Sequence, residues 1–262
     1  MSSKTEKLFQ RICAFNKKGT AGEVLVLDDV DPATAEDLDI GLMHQERRRI
    51  RFSYDSLLHT FTLRIPDLRY EIIGDWFDNM QMKWILAGIC PAALFSIVKG
   101  RAAIVRGFAA PYENSAKEPD YQIRGEDCNT IPSLSLDQLR THKDFWQQGS
   151  QGRTRVVIVV KYYAKDDNDQ VKVEMEIWRT DQPVESISLF PDLAVPNPPK
   201  TLGNVGPSLP FPAGSPHLVM DDLYGGRSPQ DVDGNTQLLL DIHFLRCRIN
   251  EWAFGAGATL IP

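Results

Sequence analysis

The sequence predicts an α/β (α+β) fold in which a mixed central sheet is flanked by helices, and three observations support this prediction. Apolar and polar residues alternate through 50–65, which is the period of a half-exposed strand and its hairpin partner. Apolar residues recur every four positions from Leu68 to Trp84, as they do on one face of a helix. The run 156–160 is apolar on both faces, and the alternating segment 171–177 predicts its antiparallel partner.

The composition is that of a globular chain with a full core. Of the 262 residues, 42% are hydrophobic and 24% are charged. The first twenty residues are too rich in charge for a secretory signal, and the apolar stretch 84–98 is too short for a membrane span. We therefore expect an intracellular protein, cytoplasmic or nuclear, with no membrane partner and no oligomeric state fixed by the sequence.

The net charge of the chain and the spacing of its cysteines and histidines argue against two kinds of function. The formal net charge of -6 argues against general affinity for nucleic acid, although it permits a local basic cleft. The four cysteines and five histidines are scattered without the spacing of a zinc site. A zinc site and a disulfide framework are therefore not expected.

The sequence divides into four predicted segments. Residues 1–45 are predicted to be an N-terminal extension with at most one strand and one helical turn, and 46–182 to be the main domain. Residues 183–216 are rich in Pro and Gly and are predicted to be a linker. Residues 217–262 are predicted to be an appendage that packs on the main domain. Within the main domain, 101–108 is predicted to be a further strand.

Three charged residues are candidates for chemistry. Asp120 follows Pro119 at the entrance of a short apolar strand, where a carboxylate is either a metal ligand or part of a turn. Glu71 lies in the first turn of the helix that begins near Leu68, where the helix dipole favours a carboxylate without any catalytic role. Lys143 lies on an otherwise apolar helix side, and its head is either directed into a site or solvated at the end of a packed stem.

The order of these elements resembles the PD-(D/E)XK restriction-endonuclease-like superfamily, over roughly residues 46–180. The closest likeness is to fungal proteins related to bacterial predicted restriction endonucleases of that group. The segments that carry the resemblance are Arg48–Tyr54, Ile65–Glu71, Lys117–Asp120, Leu136–Leu139 with Lys143 and Trp146, Gly149–Ser150 and Val156–Val160.

The resemblance implies a restriction-endonuclease-like fold and phosphodiester hydrolysis of DNA. In such enzymes carboxylates hold Mg²⁺, which polarises the phosphate and activates water, while a lysine stabilises the developing charge. By position, the resemblance makes Asp120 and Glu71 the metal ligands and catalytic carboxylates, with Lys143 as the catalytic lysine. Mg²⁺ is the implied cofactor, and nucleic acid, bound in a local basic cleft, is the implied partner.

The sequence departs from the pattern of the family in one place. Relatives carry a strand with Glu-x-Lys or Glu-x-Gly between the Pro-Asp strand and the lysine-bearing helix, whereas no such strand is predicted before Ser135. The sequence therefore predicts that this strand and its acidic ligand are missing and that catalysis is degenerate. Three alternatives remain: an active Mg²⁺-dependent nuclease, a non-catalytic binding module on the same fold, and a mis-joined reading frame at Leu134–Ser135.

Overall fold

The computed structural model describes the chain in a series of segments. The described residues are 2–44, 50–89, 99–100, 104–118, 121–123, 128–132, 136–164, 166–168, 170–180, 182–190, 216–224, 226, 228, 232–255 and 259–260.

Helices and strands are mixed along the described residues. The helices are α1 Ser3–Lys18, α2 Pro32–Met43, α3 Leu68–Leu86, α4 Leu136–Gly149, α5 Met220–Leu223 and α6 Ile242–Gly255. The strands are β1 Val24–Leu27, β2 Arg51–Asp55, β3 Thr60–Arg64, β4 Lys99–Gly100, β5 Ala116–Lys117, β6 Tyr121–Ile123, β7 Cys128–Pro132, β8 Val156–Tyr162, β9 Gln170–Val171, β10 Val173–Arg179, β11 Glu185–Phe190, β12 His217–Val219, β13 Gln237–Leu239 and β14 Thr259–Leu260. The predicted α/β (α+β) class is confirmed at this level.

The chain divides into two compact units, and neither is one continuous stretch. The first unit comprises Met1–Leu68, Ala102–Pro119 and Gln148–Gln151. The second unit comprises Arg69–Arg101, Asp120–Gln147 and Gly152–Pro262. The predicted four-segment scheme stays a prediction, because compact units need not coincide with domains defined by sequence.

The first unit is built on an antiparallel sheet with the strand order β1-β3-β2-β5. The hairpin of β2 and β3 confirms the alternation seen in 50–65. Inward-facing residues of the sheet form one core with buried residues of α1 and α2. This core contains Ile12, Leu27, Val30, Ala35, Leu38, Leu42, Ile50, Phe52, Tyr54, Phe61, Leu63, Ile65 and Ala116.

The N-terminal segment is more regular than predicted. It contains two helices of 16 and 12 residues and a paired strand, so the expectation of at most one strand and one helical turn is wrong. Asp31 starts α2 by accepting the backbone N–H of Thr34 at 2.9 Å, with Pro32 in the first helical turn. Leu38 and Leu42, four residues apart, form the buried side of α2, which the acidic residues around them obscured in the sequence.

The second unit is built on a mixed sheet in which the described strands have the order β4-β6-β7-β8-β10-β11. Neighbouring strands are antiparallel except β7 and β8, which are parallel and are connected by α4. The predicted pairing of the buried strand with the segment after it is confirmed by β8 and β10. Two short ladders, β12 with β13 and β14 with β9, complete the described pairing.

The strand that the sequence analysis expected to be missing is present. β7 spans Cys128–Pro132 and lies between β6 and β8 in the sheet. Ile131 is its strongest apolar residue and Pro132 ends it, so its sequence contains little of the apolar pattern on which the prediction relied. The predicted deletion of this strand is therefore wrong. The segment is a strand because it pairs with β6 and β8, and not because of an apolar pattern in its own sequence.

Two other expectations about secondary structure are wrong in part. Residues 185–190, assigned to the linker, form β11, which pairs with β10, while 191–215 lie outside the described residues. In the predicted strand 101–108 the first three residues lie outside the described part. Of the remainder, Val105 makes an isolated bridge with Lys117, and 106–108 form no strand.

Helices lie on both faces of the second unit's sheet. Val156, Ile158 and Val160 of β8 share a core with α3 and with residues of the C-terminal segment. On the opposite face, Trp178 of β10, which is paired with Val157, lies against α4. The C-terminal segment packs on the α3 side, where Trp76 and Trp84 donate their indole N–H groups to the carbonyls of Asp241 and Leu239, just before α6.

Candidate functional site

One end of the second unit's sheet brings together the start of β6 and the ends of β7 and β8. Tyr121 of β6 pairs with Thr130 of β7, and Pro132 of β7 pairs with Val160 of β8. β6 runs antiparallel to β7, and β7 runs parallel to β8, so β6 begins toward the C-terminal ends of β7 and β8, which we call the site end. Asp120 directly precedes β6 in the sequence and lies outside the described residues.

The residues before Pro119 belong to the first unit. Lys117 of β5 is paired with Ser53 of β2 and is 3% exposed. Burial lowers the pKa of Lys117 from its ordinary 10.5 to about 7, against the opposing effect of the Asp55 charge. Glu118 is also buried, and its Oε2 accepts the backbone N–H of Phe52 at 3.2 Å. In the first unit's sheet β5 ends at Lys117, and in the second unit's sheet β6 begins at Tyr121.

Glu71 lies in the first turn of α3, and this turn is at the site end. The guanidinium carbon of Arg69, in the same turn, is 5.8 Å from the ring centroids of both Tyr162 and Trp252. Tyr162 is the last residue of β8, so α3 begins where β8 ends. Glu71, two residues further along the same turn, is half-buried.

Lys143 lies on the other face of the sheet and against a different strand. Its ammonium is 4.7 Å from the ring centroid of Trp178 in β10 and forms an ion pair with Asp144. β8 and β7 separate β10 from β6, which corresponds to roughly 14 Å across three strand spacings. The contacts of Lys143 are those of a packed lysine stem with a paired head, and its catalytic role stays a prediction.

A cluster of basic and aromatic residues at the site end escaped the sequence analysis. Lys161 and Lys172 place their ammonium groups 5.7 and 5.0 Å from the ring centroid of Tyr163. Lys172 also pairs with Glu174 at 2.6 Å, and the hydroxyl of Tyr163 donates to the same carboxylate. The available signal was Lys161 itself, a cation that directly follows the apolar run of β8.

The charged neighbours and the burial of Lys161 and Glu174 shift the pKa values of both side chains. Burial lowers the pKa of Lys161, and the positive charge of Arg69 lowers it further. Burial acts to raise the pKa of Glu174, but hydrogen bonds from Lys172 and Tyr163 outweigh it and leave this pKa below its ordinary value. The ion pair with Lys172 and the hydrogen bond from Tyr163 thus favour the ionised form of Glu174.

The strand beside β6 supplies no acidic ligand. β7 reads Cys-Asn-Thr-Ile-Pro and therefore has no carboxylate to pair with Asp120. Among the described residues, no three His, Cys, Asp or Glu side chains are grouped so that they could hold a metal ion. Glu126 and Asp127, the acids nearest to β7 in the sequence, lie outside that part of the chain.

Comparison with protein-family models gives no match, and none of the curated proteins matches the chain. None of the helices in the described segments combines the length and apolarity needed to cross a bilayer.

Proposed function

We propose that the second unit is a restriction-endonuclease-like domain whose Mg²⁺-dependent hydrolytic site is degenerate, and that it binds nucleic acid without cleaving it. The observation that carries the proposal is the order of elements around the Pro-Asp strand. Helix α3 precedes β4, β6 and β7, α4 connects β7 to the parallel β8, and β10 runs antiparallel beyond it. This is the order that the sequence resemblance implies, including the strand between the Pro-Asp strand and the lysine-bearing helix.

The degenerate site follows from the composition of β7. Mg²⁺ requires hard oxygen ligands in near-octahedral geometry, and protein sites for it depend on one or two carboxylates. Asp120 and Glu71 remain as candidates, but the strand next to β6 offers Asn129 and Thr130 where relatives carry a glutamate. A neutral amide or hydroxyl binds Mg²⁺ far more weakly than a carboxylate does. The residues present therefore do not fit a resident Mg²⁺ ion.

The experiment that tests this proposal is a cleavage assay with the intact chain. Supercoiled plasmid and single-stranded DNA are incubated with the protein and Mg²⁺ or Mn²⁺, beside an Asp120→Ala variant prepared in the same way. We expect no cleavage above that of the variant, together with DNA binding that persists when the metal is chelated. Cleavage that depends on Asp120 would overturn the degenerate assignment.

An active nuclease is the second candidate, favoured by the placement of Glu71. Arg69, in the first turn of α3 with Glu71, reaches Tyr162 at the end of β8, and Asp120 directly precedes β6 in the sequence. In that case Glu71→Gln, like Asp120→Ala, abolishes the cleavage. The same assay separates the two candidates.

A further inference from the structure

We infer that His243 and Cys247 of α6 bind a zinc ion that two copies of the chain share. Each copy supplies one imidazole nitrogen and one thiolate sulfur, so the ion has two histidine and two cysteine ligands. The inference is independent of the proposed function, because neither residue belongs to the candidate site.

The two side chains are in contact on one face of α6. They are four residues apart, which makes them neighbours on the surface of a helix. The Sγ of Cys247 lies 3.6 Å from the Nε2 of His243. In a tetrahedral zinc site, Zn–S and Zn–N bonds of about 2.3 Å and 2.0–2.1 Å place the sulfur and the nitrogen about 3.6 Å apart. The observed separation thus matches that of two ligands of one zinc ion.

This face of α6 is open to solvent. The side chains that share it recur at the spacing of one helical face, and all of them are exposed: His243, Cys247, Asn250 and Phe254. Phe254, the apolar member of the set, is 88% exposed. The buried residues of the helix are at positions 245, 249 and 253, on its other side. A metal ion and a second copy of the chain can therefore reach His243 and Cys247 from solvent.

The charges around Cys247 favour a bound cation. Partial burial raises the pKa of its thiol, and the carboxylates of Glu251 and Asp241 raise it further. Carboxylates that oppose a free thiolate attract a zinc ion, which displaces the thiol proton when it binds. The arginines on either side of Cys247 have other partners. Arg246 donates to two carbonyls of β11, and Arg248 pairs with carboxylates of α3 and of its own helix.

One chain offers too few ligands for a closed zinc site. Structural zinc sites are almost always four-coordinate, and two cysteines with two histidines are one of the common ligand sets. In the segments that the structure describes, no third His, Cys, Asp or Glu joins such a pair to hold a metal. A two-fold axis through the ion repeats both ligands and completes the set. A shared site of this kind needs only the pair on one helical face, and not the longer ligand spacing of a site within one chain.

The test measures zinc binding and mass together on the intact chain, freed of metal with EDTA and kept in a phosphine reductant. ZnCl₂ is titrated into the protein, and the mass is followed by light scattering after size-exclusion chromatography. We expect a twofold rise in mass that levels off at one zinc ion per two chains and is reversed by EDTA.

Three results of this titration would contradict the inference. Binding of one zinc ion per chain with unchanged mass would exclude the shared site. A doubled mass that survives EDTA would exclude zinc as its cause. Absence of any zinc-dependent change in mass would overturn the inference as a whole, while leaving the proposed function untouched.

Substitutions identify the ligands. Cys247→Ser and His243→Gln should each abolish the zinc-dependent rise in mass, because each removes one ligand from both copies. Both positions are exposed, so the variants should keep the circular dichroism spectrum of the wild type. The matched controls are Cys13→Ser, at a free cysteine of α1, and His44→Gln, at an exposed histidine after α2. The controls should dimerise with zinc as the wild type does. Equal losses in controls and ligand variants would overturn the assignment.

Cobalt distinguishes a ligand role from a structural one. Co²⁺ can replace zinc, absorbs visible light when its coordination is tetrahedral, and gives a near-ultraviolet charge-transfer band when a thiolate binds it. We expect both signals from the wild-type chain. Cys247→His supplies a nitrogen in place of the sulfur, so it should retain the visible absorption and the rise in mass but lose the charge-transfer band. Persistence of that band in Cys247→His would show that another cysteine binds the metal.

Discussion

Lys117 is a buried lysine in the first unit, at the start of the stretch that leads to Asp120. Its side chain is 3% exposed, and burial brings its pKa to about 7, although Asp55 opposes the shift. At neutral pH the ammonium is therefore close to its midpoint, and small changes in pH alter its charge. Since the unfolded chain has the ordinary value of 10.5, this single residue links the stability of the first unit to pH.

We expect the free energy of unfolding to rise with pH because of Lys117. The folded pKa lies below the unfolded one, so between about pH 7 and 10.5 the unfolded chain binds more protons, and raising the pH favours the folded state. The contribution to the slope is at most about 1.4 kcal/mol per pH unit. Urea denaturation at pH 7, 8, 9 and 10 measures the slope of the free energy of unfolding against pH. Lys117→Met should remove the contribution of Lys117 to this slope.

Lys18→Met provides the control, because Lys18 is an exposed lysine at the end of α1. It removes one positive charge without changing the buried position, and it should leave the pH slope of the wild type unchanged. If Lys117→Met and Lys18→Met gave the same slope, the buried lysine would not be its source.

At the scale of single elements, strongly periodic segments were predictable and segments of low apolarity were not. α3, the β2–β3 hairpin, β8 and β10 follow from their apolar spacing alone. β7 has few apolar residues, and it is ordered by ladders on both sides, which is a tertiary effect that no local pattern reveals. In α2, the acidic residues Glu36, Asp37 and Asp39 lie around Leu38 and conceal the apolar side of the helix.

For the candidate site, the sequence predicts which element carries a residue, but not which residues of different elements lie close together. The position of Glu71 in the first turn of α3 follows from the apolar spacing that predicts the helix. The predicted pairing of 156–160 with 171–177 already brings Lys161 and Lys172 into the same hairpin, but its register, which pairs Tyr162 with Val173, does not follow from the apolar spacing. The placement of Lys143 against Trp178 likewise depends on which strand α4 covers, and not on the sequence of the helix.

The buried side of α2 can be tested with a matched pair of substitutions. Leu38 is 0% exposed in the core of the first unit, whereas Ile40, two residues along the same helix, is 49% exposed. Leu38→Ala should lower the free energy of unfolding by about 2–5 kcal/mol, because it removes buried methyl groups and leaves a cavity. Ile40→Ala should change it by less than about 0.5 kcal/mol. Chemical denaturation of both variants measures the difference, and equal losses would contradict the assigned face.

At the scale of the whole molecule, the first 45 residues are part of a core and not an addition to one. They supply Ile12, Leu27, Leu38 and Leu42, which pack with apolar residues of β2 and β3. Removing the segment exposes the inner face of the sheet, including aromatic residues that are fully buried in the intact chain.

A chain that begins at residue 46 should therefore fail to form a stable first unit. We expect it to aggregate, or to lose the near-ultraviolet circular dichroism of its buried aromatic residues, while the full chain prepared in parallel remains monodisperse. Size-exclusion chromatography and thermal melts compare the two. A truncated chain with the melting temperature of the full chain would show that α1, β1 and α2 contribute nothing to the core.

The interleaving of the two units has a consequence for synthesis on the ribosome. β5, which completes the sheet of the first unit beside β2, follows α3 and β4 in the chain, and these belong to the second unit. At about 5–20 residues per second, roughly 3–10 s pass between the synthesis of β3 and that of β5. During this interval β2 has one unpaired edge, which is a template for association with other chains. The nascent chain should therefore depend on chaperones until residue 117 has emerged.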